Sequence, residues 1–190
     1  FGSAQRELLS LPLPAGALDI LHQAWSGMSE SARQHPDMVS VYAQQLINQN
    51  AMDECTALLA TALERQWDER LVLLYGEARD AQPAAQLETA EEWLARHGES
   101  PALLLTLGRL ARRNRLTDRA RSYLEKSLTL GASAAAHAEL GTLFEEAGDS
   151  ARALSHCRQA LELCRNLHHP VLSHRGHAPL GTSGANDYGY

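Results

Sequence analysis

The chain has 190 residues, which suffices for one domain or a small repeat array with a buried core. Its formal net charge of -6 argues against a nucleic-acid-binding protein, and no run of about 18 apolar residues is present that could span a membrane. Three cysteines, none of them in a C-x-x-C pair, argue against a disulfide framework.

The first 35 residues predict a capping helix in front of the main fold. Prolines and a glycine in residues 11–16 break any helix there, whereas the following residues place an apolar stripe on one helical face. This stripe consists of Leu18, Leu21, Trp25, Met28 and Ala32. We expect one helix that ends at His35-Pro36, because a residue before proline avoids the helical conformation.

Residues 101–131 predict two amphipathic helices joined by a tight turn. Apolar and small side chains recur three and four residues apart, with Asn114 as the turn residue and Thr117 as the N-cap of the second helix. Gly108 and Ala120 supply small residues where the two helices would cross most closely, since a larger side chain there would push them apart.

The same pattern recurs on both sides of this segment. Gly141 and Ala153 repeat it 33 residues downstream, and Tyr75-Gly76 and Tyr42-Ala43 repeat its leucine-glycine position upstream. A period of this length resembles the tetratricopeptide repeat (TPR) superfamily. We therefore predict an all-α fold, a right-handed superhelix (α-solenoid) of antiparallel helix pairs. The predicted divisions are an N-terminal segment and capping helix at 1–35, four helix pairs at 36–167 and a flexible polar tail at 168–190.

The second of these units departs from the pattern. Residues 81–83, Ala-Gln-Pro, break the chain, and Ala90 lies 14 residues after Gly76, where the next two units have 12. We expect a longer connection followed by a shortened helix at about residues 85–97, which ends at Gly98.

Three segments narrow the resemblance within the TPR superfamily. Residues 67–76 precede the irregular turn, residues 86–94 form the shortened helix, and residues 100–108 open a regular repeat. In this order they are similar to the C-terminal TPR region of proteobacterial HemY proteins, over roughly residues 17–166. This resemblance implies an inner-membrane protein with membrane helices ahead of this region and a role linked to late haem (protohaem) synthesis. Because the chain starts at Phe1 rather than Met, we expect a fragment whose anchor lies outside it.

Two other classes of protein fit less well. TPR regulators of lipopolysaccharide assembly carry paired C-x-x-C motifs, which Cys157 and Cys164, seven residues apart, do not form. An enzyme is disfavoured because the chain contains no His-Glu-x-x-His, Gly-x-Ser-x-Gly or P-loop motif. His137-Ala-Glu139 matches only half of a deaminase motif. We predict no catalytic residues and no metal site.

The end of the last predicted helix carries the candidate haem contact. Cys164 and His168 are four residues apart and would share a face if that helix continues so far. The alternative, which we favour, is that Cys157 and Cys164 pack in the helix and that the histidines are solvated. No cofactor is therefore predicted, with haem as the one candidate.

A stacked TPR array forms a groove lined by the first helix of each pair. Offsets 1, 4, 8, 11 and 12 from the start of each unit give the predicted partner-binding residues. These are Gln44, Asn48, Arg70, Glu77, Arg109, Arg112, Arg113, Thr142 and Glu145. The lysine and asparagine pattern of chaperone-binding clamps is missing, because the first unit has Ser40 and Gln44 at the matching offsets.

Arg109, Arg112 and Arg113 would form a basic patch flanked by acidic units. Arginine forks bind carboxylates well, including a peptide C-terminus, acidic side chains or porphyrin propionates. The competing interpretation is that these arginines pair locally with Glu145 or Glu146 and bind nothing.

These observations together predict a non-enzymatic interaction scaffold, the soluble region of a HemY-like inner-membrane protein that holds haem-pathway proteins. Two alternatives remain open: a haem carrier or chaperone that binds the tetrapyrrole directly, and a TPR regulator of cell-envelope assembly. No nucleic-acid partner is expected.

Overall fold

The computed structural model describes residues 16–168, with side chains up to residue 166. This part of the chain contains ten α-helices and no strand, which confirms the all-α solenoid prediction. The predicted tail lies outside the described residues, apart from the backbone of His168. The helices are α1 Leu18–Ser26, α2 Glu30–Gln34, α3 Pro36–Asn48, α4 Met52–Arg65, α5 Glu69–Glu77, α6 Pro83–His97, α7 Pro101–Arg113, α8 Thr117–Leu130, α9 Ala134–Glu146 and α10 Ser150–His168.

Three consecutive helix pairs pack closely, α3 with α4, α7 with α8 and α9 with α10, and the first helices α3, α5, α7 and α9 also contact one another in order. In the second pair, α6 packs mainly against α7 of the next unit rather than against α5. Polar caps and prolines define where these first helices begin. The Ser100 and Ser133 hydroxyls accept backbone N–H bonds at the starts of α7 and α9, and Asp68 does so at α5. Pro36 and Pro101 occupy the first turn of α3 and α7, where a missing N–H costs nothing.

The turns inside the pairs differ in detail from the prediction. Asn50 and Gly148 adopt positive φ angles of 61° and 79°, as turn residues should. In the third pair the residue with positive φ is Arg115, at 59°, rather than Asn114. Thr117 does not cap α8, because the helix already includes it and begins after Leu116 without a side-chain cap.

The N-terminal apolar stripe folds as two short helices rather than the single helix expected. The break falls between Ser26 and Glu30, where the Ser29 hydroxyl accepts a hydrogen bond from the Ala32 N–H and caps the start of a new helix, α2. The stripe is still used as predicted, because Leu21 is fully buried and the Trp25 ring stacks on Tyr42 of α3 at 4.1 Å.

Close helix crossings occur where the small residues predicted them in the third and fourth pairs. A Cβ on Gly108 would lie 2.5 Å from Leu124 Cγ, and a Cβ on Gly141 would lie 2.9 Å from Cys157 Sγ. Only glycine lets α7 approach α8, and α9 approach α10, this closely. Ala120 is fully buried at the first of these crossings.

The second pair, α5 and α6, is built differently. A Cβ on Gly76 would lie 2.7 Å from Thr106 Oγ1 of α7, so this glycine serves the contact with the next unit and not the crossing with α6. The rings of Tyr75 and Trp93 meet between α5 and α6, with centroids 4.6 Å apart. The prediction of a shortened second helix is wrong: α6 has 15 residues, whereas α5 has only nine. The end at Gly98 is confirmed, with a φ of 80°.

No helix in residues 16–168 is both long enough and apolar enough to cross a bilayer.

Candidate functional site

A groove between the first helices α3 and α5 is the candidate binding site. It is a shallow, open groove with a volume of about 420 Å³, and half-buried Val41, Leu73 and Leu74 provide its apolar surface. Its remaining lining residues are polar or charged: Ser40, Gln44, Arg70 and Glu77. We call this feature the α3–α5 groove.

Three predicted partner-binding residues, Gln44, Arg70 and Glu77, therefore line one groove. Asn48 lies one turn beyond Gln44, whose side-chain amide donates to its Oδ1 at 3.5 Å. The helical offsets had identified this surface, but not its apolar centre. Leu73 and Leu74 belong to an apolar run, residues 71–75, and in sequence this run is typical of buried core.

The guanidinium of Arg70 is already occupied by two carboxylates of its own surface. Its NH1 donates to Asp37 Oδ1 at 2.6 Å, and its Nε and NH2 donate to the two oxygens of Asp68 at 3.1 and 2.8 Å. These bonds lower the pKa of the Asp68 carboxyl, chiefly through the Arg70 side-chain hydrogen bond. Each nitrogen of Arg70 thus has a carboxylate partner before any ligand arrives.

A second set of ion pairs extends from the groove across α7 to α9. Arg109 lies 3.6 Å from Glu77 and donates to Glu139 at 2.9 Å. Arg112 shares Glu139 at 3.2 Å and reaches Glu146 at 2.8 Å. We call these five residues the ion-pair ladder. Two of the three arginines in the predicted basic patch are therefore paired with carboxylates. The competing interpretation expected local pairing with Glu145 or Glu146, and of these only the Arg112–Glu146 pair forms, whereas Glu139 is the carboxylate that both arginines share.

The third arginine of that patch, Arg113, caps the short helix α5. It donates to the backbone carbonyls of Gly76 and Ala78, both at 2.7 Å, and of Glu77 at 3.2 Å. Burial lowers the pKa of Arg113 to about 10, and the positive charges of neighbouring arginines add to this effect. The Arg113 guanidinium faces the carbonyl end of α5, where the helix dipole favours a positive charge.

Gln86 of α6 completes this cap with its side-chain amide. It donates to Tyr75 O at 2.7 Å and to Ala78 O at 3.0 Å, so two side chains, one from α6 and one from α7, satisfy the carbonyls at the C-terminal end of α5. Sequence reasoning missed both roles, because each depends on a contact between helices.

The fourth unit contributes a free carboxylate to the first-helix surface. Thr142 donates to the Ala138 carbonyl of its own helix at 3.1 Å. Glu145 is exposed and has no side-chain hydrogen bond or ion pair among the described residues.

The candidate haem contact is only partly described. Cys164 is an exposed cysteine outside any disulfide, whereas the side chain of His168 lies outside the described residues. Within the described range, no group of three or more His, Cys, Asp or Glu side chains is arranged to hold a metal ion. His137, from the half deaminase motif, instead contacts His156 of α10, with their Nδ1 atoms 2.9 Å apart.

A larger cavity of about 490 Å³ lies at the turn between α9 and α10. Two of its three charged lining residues pair with each other, since Arg152 binds Asp149 and also lies 4.6 Å above the Phe144 ring. The third, Arg121, pairs with Asp118. The α3–α5 groove is the more apolar of the two, because nearly all of its exposed lining is aliphatic, whereas the lining of the larger cavity is divided between polar and apolar surface.

Comparisons with known proteins add structural likenesses but no family. No protein-family model matches the sequence, and no curated protein matches it. A solved structure titled MamA MSR-1 C2 is similar at 16% identity and a TM-score of 0.48, with 80% of this chain and 87% of that chain covered. A second, titled MamA AMB-1 P212121, has 16% identity and a TM-score of 0.45, with 86% and 92% covered.

Proposed function

We propose that this chain is a non-enzymatic interaction module that binds a segment of a partner protein in the α3–α5 groove. The observation that carries the proposal is the aliphatic surface of Val41, Leu73 and Leu74, left half-open between two first helices and bordered by polar side chains. Covering such a surface releases about 25 cal/mol per Å² of apolar area, a driving force that fully ion-paired surroundings do not provide.

Site-specific crosslinking tests this assignment in cells that make the protein. A photo-crosslinking amino acid replaces exposed Gln44 at the groove or, as the matched control, exposed Glu88 on the second helix α6. The proposal predicts a discrete protein adduct from position 44 and none from position 88. Equal adducts from both positions, or an adduct from position 88 alone, would contradict it.

We further propose that the partner belongs to late haem synthesis, as the HemY resemblance implies. This finer assignment rests on the order of three sequence segments, and the adducts from position 44 test it directly. Haem-pathway proteins among them would support it, whereas cell-envelope assembly factors would favour the regulator alternative instead.

The carrier alternative makes a different prediction. Haem titrated into the purified chain would give a saturable absorbance shift near one haem per chain, lost in a Cys164→Ala/His168→Ala double variant. The scaffold proposal predicts a linear response that is the same in both proteins, as expected of nonspecific partitioning.

A further inference from the structure

We propose that the segment bound by the α3–α5 groove is basic and apolar: an aliphatic or aromatic side chain flanked by lysine or arginine. This inference rests on the proposed function and specifies the chemistry of the partner. The positive charge of this segment is opposite to that of the anionic ligand that the arginine pattern of the sequence suggests.

Carboxylates outnumber guanidinium groups on the surface formed by the first helices α3, α5, α7 and α9. Arg70 with its partners Asp37 and Asp68, taken together with the ion-pair ladder, amounts to five carboxylates that share three guanidinium groups. Glu145 adds a further carboxylate without a described partner, while the one other arginine of the predicted patch, Arg113, is turned onto the end of α5. At the groove itself, three of these carboxylates, Asp37, Asp68 and Glu77, pair with two guanidinium groups, those of Arg70 and Arg109, so the local surplus of charge is negative.

The arginines of these ion pairs already have carboxylate partners, and this pairing disfavours the binding of an anion. Every nitrogen of Arg70 donates to Asp37 or Asp68, and the Arg109 side chain is only 13% exposed between Glu77 and Glu139. An incoming carboxylate would have to displace an existing ion pair and approach the remaining carboxylates, and like charges at close range oppose binding.

Glu77 is the carboxylate best placed to receive a cation. Its side chain is 44% exposed, and its contact with Arg109, at 3.6 Å, is longer than the 2.9 Å bond that Arg109 makes to Glu139. Glu77 follows Leu73 by four residues on one helix, so the two side chains are neighbours on one face. A partner whose apolar side chain covers Leu73 would bring an adjacent lysine or arginine to Glu77.

The test uses a phage-displayed library of random twelve-residue peptides, selected on the purified chain. Peptides that bind are then synthesised, and their affinities are measured by fluorescence anisotropy for the wild type, Gln44→Glu and Gln44→Lys. Gln44 is exposed at the groove, so neither substitution removes core packing, and the two differ only in the sign of the added charge. Glu88→Lys on α6 serves as the control for the overall charge of the chain.

The expected result is selection of peptides that combine lysine or arginine with leucine, isoleucine or phenylalanine. Gln44→Glu should tighten their binding several-fold, Gln44→Lys should weaken it about tenfold, and Glu88→Lys should leave it unchanged within twofold. Glu77→Gln should also weaken binding, without changing the helical circular dichroism signal.

Two other results would overturn the inference in distinguishable ways. Selected peptides that are acidic, with Gln44→Lys tightening and Gln44→Glu weakening binding, would reverse the sign of the partner but leave the groove as its site. Peptides whose affinity responds to neither substitution at position 44 would overturn the groove itself and with it the proposed function.

Discussion

The second helix pair and the third show how similar sequence patterns produce different packing. In the third pair, Gly108 lets α7 approach α8 inside the unit, whereas in the second pair Gly76 lets α5 approach α7 of the next unit. The second pair compensates for its short first helix with caps from Arg113 and Gln86. A glycine in a repeat thus marks a close approach, but the neighbouring elements decide which helix makes it.

The largest expected loss of stability comes from a charge placed where α7 and α8 cross in the third pair. Ala120→Arg would bury a guanidinium beside Leu124 without a described counter-charge, and we expect a loss of about 4 kcal/mol or more in unfolding free energy. Chemical denaturation monitored by circular dichroism measures it. Ala95→Arg, at an exposed position of α6, is the matched control and should change stability by less than about 0.5 kcal/mol. An unchanged melt for Ala120→Arg would contradict the packing described here.

The next effect tests the cap of the second pair. Arg113→Ala removes all three bonds to the end of α5, and we expect a loss of about 2 kcal/mol because the partly buried carbonyls of Gly76 and Ala78 lose a charged donor. Arg113→Lys should recover little of it, since a single ammonium cannot reproduce the planar fork. Hydrogen exchange at the Ala78 amide should accelerate in both variants, whereas Arg121→Ala, which removes an exposed pair with Asp118, should leave it slow.

A double-mutant cycle tests whether Gly76 contacts the next unit, unlike Gly108, which contacts the second helix of its own pair. Gly76→Ala should cost about 2 kcal/mol, because its Cβ would meet Thr106, whose Cα lies only 3.1 Å away. Thr106→Ala should relieve part of this cost, whereas Ala90→Gly on α6 should relieve none. Rescue by Ala90→Gly instead would mean that Gly76 faces its own partner helix, as in the third pair.

The smallest effect concerns the histidine contact between α9 and α10. Burial lowers the pKa of His137, with His156 adding to it, and burial likewise lowers the pKa of His156. The unfolded chain therefore binds protons more readily, so this contribution to stability is complete above a pH of about 6.5 and declines as the pH falls below it. Thermal melts between pH 7 and pH 5 should show a shallower decline for a His137→Gln/His156→Gln variant than for the wild type. Parallel declines would show that the contact is not pH-sensitive.

Much of the fold could be predicted from the spacing of small residues, because a close crossing admits few side chains. The pairs Gly108 with Ala120 and Gly141 with Ala153 identified two crossings correctly. The length of α5 could not be predicted, because its end is stabilised by a side chain more than 30 residues away, Arg113. Local sequence suggested a break only at Pro83, which instead lies in the first turn of α6.

The candidate site could be predicted only in part, for a similar reason. Helical offsets placed Gln44, Arg70 and Glu77 on one surface, and that surface holds the groove. The same offsets could not show that Arg109 and Arg112 share Glu139, because that contact depends on the distance between α7 and α9. The charge that a partner meets is therefore a property of the packed array.

Methyl NMR of the chain with labelled leucine and valine, recorded with and without a library-selected peptide, shows directly which surface the peptide contacts. We predict shifts for the methyl groups of Val41, Leu73 and Leu74 at the α3–α5 groove. Leu154 and Leu161 of α10, which are 53% and 67% exposed, provide the internal control and should not shift. Shifts confined to the α10 leucines, with the groove methyls unchanged, would show that the peptide binds on α10 and not in the α3–α5 groove.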